Sequence, residues 1–372
     1  MAYFQTLPPT WPGGLWWHWL LFTVIAIVFV LSFVMAFIYI ERRGMGRMQS
    51  RLGPNRTGPF GLLQPVADAV KVLLKEDIVP KNADKIVHLL APIVAFFPVL
   101  LIFAVIPFDN GAMLADLNIG IVFIVAVSSI STVGVFMAGW GSSNKYSLLG
   151  AMRNVAAVVS YEIPLMLSII GVVLIAGTLS MNQIVLQQNI PFILYQPLGF
   201  LLFFTAACAE INRSPFDLME ADSELVAGFH TEYSGMKFAM FYLVEYAEAL
   251  AICSIIATLF LSGWKGPLLP GWLWFLIKVF ALFGIMVWTR ATLPRVRIDQ
   301  LMALAWKFML PLALINLIVT AIEVSLWPDK LPLVLIPVNI VIMVVLLVVW
   351  AKVFYKLGQG RVEVRALRDR NS

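Results

Sequence analysis

NRSPFDLMEADSELVAGFHTEYSG, residues 212–235, is a long polar stretch set between two strongly apolar runs, 192–209 and 238–261. It holds Asp217, Glu220, Asp222, Glu224 and Glu232, with Arg213 its only Lys or Arg. Glu210 precedes it, and Glu245 and Glu248 follow inside the next apolar run. Acids beside and within hydrocarbon-length runs are costly and imply a use for them. Reading this stretch as a loop between two membrane spans decides the class of fold. Phe216, Leu218, Leu225, Val226, Phe229 and Tyr233 alternate with the acids, a pattern for a loop that packs back into a cleft rather than standing in solvent. Ser214-Pro215 marks a turn, and Gly228 and Gly235 give backbone freedom.

Composition extends that reading to the whole chain. Of 372 residues 61% are hydrophobic and 13% charged, and the mean hydropathy is +0.90. A soluble domain of this length could not hide so much apolar surface, so the chain is a polytopic helical membrane protein. The net charge of +5 reflects basic loops on one side of a membrane and not nucleic-acid binding. Cys208 and Cys253 lie far apart in apolar runs, and His18, His88 and His230 are isolated. No spacing suits zinc, an iron–sulfur cluster or haem, so any redox centre belongs to a partner. No Lys or Arg precedes the first apolar run, so that run reads as a retained helix rather than a cleaved signal.

About nine runs are long enough, or nearly so, to span: 19–40, 89–106, 119–138, 155–175, 192–209, 238–261, 273–288, 308–326 and 333–350. The shortest, 273–288, contains Lys278, which can face a neighbouring helix or snorkel to an interface. With nine spans, 23 of the 26 Lys and Arg fall on one side or in the tail on that side. The positive-inside rule then puts the N-terminus outside, the C-terminus inside and the acidic loop in the cytoplasm. Trp11, Trp16, Trp17 and Trp19 suit an outer aromatic belt. The fold is therefore all-α: one membrane domain over 1–372, with a cytoplasmic segment at 41–85, the acidic loop at 210–237 and a last helix with a basic tail at 333–372.

Within 41–85, Leu62, Leu63, Val66, Ala69, Val70, Leu73 and Leu74 share one helical face, and Gln64, Asp68, Lys71 and Lys75 the other. This is a surface amphipathic helix, too short and too charged to span. With Glu41, Arg42 and Arg43 it either anchors the chain or roofs a crevice at the membrane surface. Pro92, Pro98, Pro164 and Pro337 interrupt apolar runs and free backbone groups that neighbours must satisfy.

Glu162 sits inside the 155–175 run, two residues before Pro164. Glu245 and Glu248, three apart, share a helix face. Glu323 stands apart, near the outer end of its run. Such carboxylates either pair with a cation or backbone group across helices, or gain and lose protons. Glu162, Glu210, Glu245 and Glu248 together with the acidic loop favour a chain that hands protons on. A lone secondary transporter would also bury carboxylates, but it shows repeated halves and a site near the midplane; no repeat occurs here. A purely structural anchor would tolerate neutralisation of these glutamates.

Two motifs, ERRGMGRMQSRLGPNRTGPFGLLQPVADAVK (41–71) and EINRSPFDLMEADSELVAGFHTEYSGMKFAMFYLVEYAE (210–248), resemble the two signatures of subunit 1 of the respiratory complex I family. The similarity runs from about residue 15 to 327, with Asp222 where many members have Glu. The ninth span and basic tail after Trp327 resemble the cyanobacterial and chloroplast branch, the NAD(P)H–plastoquinone oxidoreductases. The resemblance implies a multisubunit NAD(P)H- or ferredoxin-driven, proton-translocating quinone oxidoreductase, a translocase in the thylakoid membrane. This chain would be the membrane wall of its quinone chamber and would bind no cofactor of its own. Plastoquinone would be the substrate. The partners would be other membrane subunits, lipid and peripheral-arm subunits holding the iron–sulfur clusters and the quinone-headgroup site. Carried over by motif, Arg42 guards the quinone entrance and Asp68 faces the chamber. Arg213, Phe216, Asp217, Glu220, Glu224 and Phe229 line it. Glu162, Glu210, Glu220, Glu224, Glu245 and Glu248 form the acidic path toward proton-pumping subunits.

Overall fold

The structure is a computed structural model that describes residues 16–217, 227–327 and 332–370. Its α-helices are α1 (Trp16–Met48), α2 (Gln64–Leu73), α3 (Lys85–Ile102), α4 (Gly120–Gly141), α5 (Lys145–Ala176), α6 (Met181–Gln187), α7 (Phe192–Tyr195), α8 (Pro197–Glu210), α9 (Gly235–Phe260), α10 (Gly271–Thr292), α11 (Ile298–Leu326) and α12 (Leu335–Arg370). No β-strand occurs among the described residues. Among the described residues eight helices are long and apolar enough to cross a membrane: α1, α3, α4, α5, α9, α10, α11 and α12. The 14-residue α8 is apolar but short. These eight and α8 correspond to the nine apolar runs of the sequence.

The bundle is built round α9. Of its most apolar 18-residue window 83% is buried, against 11% for α12, so α9 is the core and α12 the periphery. Ala247, Ala249, Ala251, Cys253, Ser254, Ala257 and Thr258 of α9 are all buried. Small side chains let neighbouring backbones approach, which is how helices associate where lipid removes the hydrophobic drive between them. The same device joins α3 and α4: a Cβ on Gly134 would lie 2.6 Å from the backbone nitrogen of Ala95.

Helix starts follow their capping residues. Asp84 accepts from the backbone nitrogens of Ile86 (3.1 Å) and Val87 (3.4 Å), and Asn144 from that of Tyr146 (3.0 Å). Asn144 thereby starts α5 at Lys145, ten residues before the apolar run at 155. The run at 273–288 is not the shortest span; α10 covers 22 residues. The short one is 192–209, which breaks at Gln196 between α7 and α8. Gln196 precedes Pro197, and a residue before proline is forced out of the helical region; its φ and ψ are −128° and 61°. Lys278 faces inward across the helices. Its Nζ donates to the carbonyls of Leu261 (2.6 Å), Gly263 (2.8 Å) and Lys265 (2.7 Å), a cation set on the C-terminal end of α9.

In α11 the segment Leu304–Met309 is π-helical. Trp306 Nε1 donates from it to Ser160 Oγ of α5 (3.1 Å), and Trp350 Nε1 of α12 donates to the Lys307 carbonyl (2.9 Å). Near the other end of α12, Asn339 Nδ2 donates to the Tyr195 carbonyl (2.7 Å) and to Glu323 Oε2 (3.2 Å). The last helix is thus keyed to the bundle by polar contacts at both ends of its apolar run, and Glu323 has its partner in Asn339.

The amphipathic segment forms α2, a little shorter than its apolar pattern. Gln64 and Asp68 of its polar side turn toward α1: Asp68 accepts from Arg42 of α1 and from Gln64 Nε2 (2.9 Å). Leu62, Leu63, Val66, Val70, Leu73 and Leu74 all point outward and are exposed. That orientation inverts a soluble amphipathic helix and matches one that lies on a membrane.

Candidate functional site

The acidic stretch begins with a helix end. α8 stops at Glu210, Asn212 takes a left-handed conformation (φ 54°), and the Arg213 nitrogen returns to the Cys208 carbonyl (3.0 Å). The turn carries Arg213 inward, where it is 4% exposed. Its Nη1 donates to Glu41 Oε2 at 2.6 Å, its guanidinium lies 4.2 Å from the centre of the Tyr246 ring, and Glu245 Oε1 is 3.1 Å from Nε, off the hydrogen-bond line. Arg290 of α10 holds the other oxygen of Glu41. Burial works against the Arg213 charge, but the carboxylates of Glu245 and Glu41 outweigh it and hold the guanidinium above its usual range. Isolated, that charge would be expensive; between two carboxylates it ties α1, α8, α9 and α10 together.

The following residues are clamped from the α10–α11 connection. Asp217 is buried and pairs with Arg295 Nη2 (3.0 Å), and the Val296 nitrogen donates to the Pro215 carbonyl (2.9 Å). Phe216 packs 5.8 Å from Tyr161. Beyond the undescribed residues 218–226, the chain turns at Gly228 (φ 62°), whose Cα lies 2.8 Å from where a Cβ on Gly150 of α5 would stand. Ser147 Oγ holds the Phe229 carbonyl (2.8 Å), and Asn144 Nδ2 holds Glu232 (2.6 Å). The 41–85 segment joins here through Asp77–Lys237 (2.8 Å) and the Ile78 nitrogen on Ser234 Oγ (2.8 Å). Of the residues in the cleft-packing pattern, Phe216, Phe229 and Tyr233 are buried, and Leu218, Leu225 and Val226 lie outside the described residues.

Between α4, α5, α9 and the two loop segments lies a cavity of about 80 Å³. Its walls include Glu210, Glu245, Glu248, Asp217, Asn154 and His230. The volume holds a short chain of about five waters. Ser131 Oγ donates to Glu248 Oε1 (2.9 Å), and Ser129 Oγ, two residues earlier on α4, donates to Glu162 Oε1. Glu210 is within electrostatic reach of Glu248 and Glu162. Burial pushes the His230 imidazole down to about 4, although one edge reaches the cavity; its ring sits 4.9 Å from Phe229 and 5.3 Å from Phe238.

Of the residues singled out in the sequence, Glu210, Asp217, Phe229, Glu245 and Glu248 meet at this cavity. Glu162 stands behind Ser129, and Arg213 and Phe216 brace the wall from outside. Arg42 and Asp68 pair with each other at the surface, 41% and 35% exposed, apart from the cavity. Glu220 and Glu224 lie outside the described residues. Sequence reasoning missed Asn154, 2% exposed with its Oδ1 unpartnered, and the roles of Ser129, Ser131, His230 and Arg290. The run Ser128, Ser129, Ser131, Thr132 inside an apolar span was a usable signal; Asn154 offered none. Among the described residues no three His, Cys, Asp or Glu side chains gather as a metal site.

The family model described as NADH dehydrogenase matches residues 21–321. The NADH-quinone oxidoreductase H subunit of Dehalococcoides mccartyi is 61% identical over 350 residues, 94% of this chain and 99% of that protein. The corresponding protein of Bacillus thuringiensis is 49% identical over 316 residues, 82% of this chain and 95% of its own. A family match over most of the chain, with relatives aligned almost end to end, shows that this chain belongs to the complex I family of membrane subunits, the one that holds the H subunits of NADH-quinone oxidoreductases.

Proposed function

We propose that this chain walls the quinone chamber of a proton-translocating NADH-quinone oxidoreductase and passes protonation changes from that chamber into the membrane. The observation that carries the reading is the meeting of Glu210, Glu245 and Glu248 at one buried cavity, with Arg213 bridging Glu245 to Glu41. Reducing a quinone to its quinol takes up two electrons and two protons. A negative intermediate near Glu245 raises the proton affinity of the carboxylates beside it. The cavity then links Glu245 to Glu210 and Glu248, while Ser131 steadies Glu248 at its wall and Ser129 holds Glu162 behind it.

In this reading the face carrying α2 and the acidic loop is cytoplasmic. Arg42 and Asp68 flank the lateral quinone entrance beside α2, and Arg213, Phe216, Asp217, Glu220, Glu224 and Phe229 line the chamber. Partner subunits supply the iron–sulfur clusters and the headgroup site, and other membrane subunits receive the protons. The loop 210–237 and the segment 41–85 act as one cytoplasmic roof, supported by their contacts at Ile78–Ser234 and Asp77–Lys237.

The finer reading is plastoquinone in a thylakoid membrane, with NADPH or ferredoxin as an alternative donor. It is supported by the ninth span and basic tail alone. The match to the Dehalococcoides relative leaves 22 residues of this chain outside it, fewer than the 45 that follow Trp327, so that relative shares part of the extension. The plastoquinone reading therefore rests on a feature that the H subunit of a bacterial NADH-quinone oxidoreductase shares in part.

Solubilising the native membranes in mild detergent tests the proposal. The 41.5 kDa chain is expected to migrate within a large assembly that shows iron–sulfur signals and reduces added quinone. Offering plastoquinone, ubiquinone and menaquinone analogues to that assembly reads the headgroup preference. Migration alone or as a small homo-oligomer, with no redox centre, would contradict it.

A further inference from the structure

Glu210 and Glu248 line two cavities, not one. The second, of about 50 Å³, lies on the side away from the acidic loop, among α3, α4, α5, α8 and α9. Its walls are made by Val99, Ile124, Leu165, Ile169, Phe203 and Ile255 with their neighbours. Apart from the two carboxylates, Ser128 is its one polar wall residue, and its hydroxyl is committed to the Val125 carbonyl at 3.0 Å. Ile255 lies seven residues beyond Glu248 on α9, about 10 Å along the helix. Ile102, another wall residue, is the last residue of α3, so the cavity extends to the end of that helix away from the acidic loop.

By volume the space would hold about three waters, but a buried water needs two to four polar partners. Beyond the carboxylates the walls offer only the Ser128 oxygen as an acceptor, and a space otherwise walled by Val, Ile, Leu and Phe side chains stays dry and accepts apolar guests. A dry constriction blocks ions and protons because no hydrogen-bonded chain crosses it.

We propose that this apolar cavity is the proton seal of the subunit: it stops protons held at Glu210 and Glu248 from leaking to the opposite face, and it is a binding site for a small apolar guest such as xenon. The inference rests on the reading of these two glutamates as proton carriers. Water reaches them from the acidic-loop side only, so protonation at the cavity is delivered sideways to partners rather than lost across the bundle.

The test is passive proton conductance of the intact complex in liposomes, measured without NADH or quinone. Ile255→Asn and Ile169→Asn, from two different helices, are expected to raise the leak about tenfold by wetting the cavity. Ile256→Asn, equally buried on α9 but outside the cavity wall, is expected to leave it unchanged. Wild-type leak in both cavity variants, in complexes that still reduce quinone, would overturn the seal; so would an equal leak in Ile256→Asn. Xenon-pressurised crystals of the wild-type complex supply a measurement that needs no variant. Xenon among Ile124, Ile169 and Ile255 is expected, and ordered water there instead would overturn the proposal. Because the leak is read without turnover, it stands or falls separately from the role of Glu248 in coupling.

Discussion

At the scale of single residues, the site is governed by charges that cannot be left alone. Glu41 is 5% exposed and holds both Arg213 and Arg290. Glu41→Gln leaves the buried Arg213 guanidinium and the half-buried Arg290 guanidinium competing for Glu245, so it should destabilise the purified complex by about 3 kcal/mol, read from its denaturation midpoint. No change would mean that the arginines find other partners. His230 gives a pH signature. Its imidazole titrates near 6.5 in an unfolded chain and near 4 here. Stability from keeping it neutral is therefore complete above about pH 6.5 and is lost as pH falls toward 4. His230→Gln should flatten that part of the plot of melting temperature against pH, and an unchanged acid slope would contradict the assignment. Glu210, Glu245 and Glu248 were legible in the sequence because a charge in an apolar run stands out. Asn154 was not, because a neutral amide is common in such runs and only burial without a partner marks it. Arg290 was counted as a loop cation, since its role depends on Glu41, 249 residues away in sequence.

At the scale of elements, apolar runs found the spans but not their ends. α5 begins at Lys145 because Asn144 caps it, a polar event that hydropathy does not register. The break at Gln196 was written in the Gln-Pro pair, yet the surrounding apolar residues read through it. The π-helical segment at Leu304–Met309 has no periodic signature; its contacts, Trp306 to Ser160 of α5 and Trp350 of α12 to the Lys307 carbonyl, are made between helices far apart in sequence. α12 is peripheral and keyed by Asn339. Asn339→Leu should cost about 1 kcal/mol, the usual worth of a hydrogen bond between membrane helices. Quinone reduction should stay near wild type, because α12 is not among the walls of the carboxylate cavity. A collapse of activity would show that α12 reaches the chamber.

At the scale of the whole molecule, one sequence pattern organises the rest: acids concentrate at one face while the bundle beneath is apolar. The buried α9 carries Glu245 and Glu248 from that face into the bundle, and the apolar cavity below them separates the acids from the other side. The exposed apolar side of α2 belongs to the same design, setting the roof on lipid beside the carboxylates. The class of fold and the clustering of Glu210, Glu245 and Glu248 followed from the sequence, whereas the two cavities that share Glu210 and Glu248 required helix packing to be seen. The most direct test of the central claim is to measure quinone-dependent NADH oxidation and proton translocation together in liposomes holding the intact complex with Glu248→Gln. Quinone-dependent NADH oxidation should fall by about tenfold or more and proton translocation should fall with it, as expected for loss of a group that moves protons in the reaction. Full turnover at an unchanged proton-to-electron ratio would contradict the account.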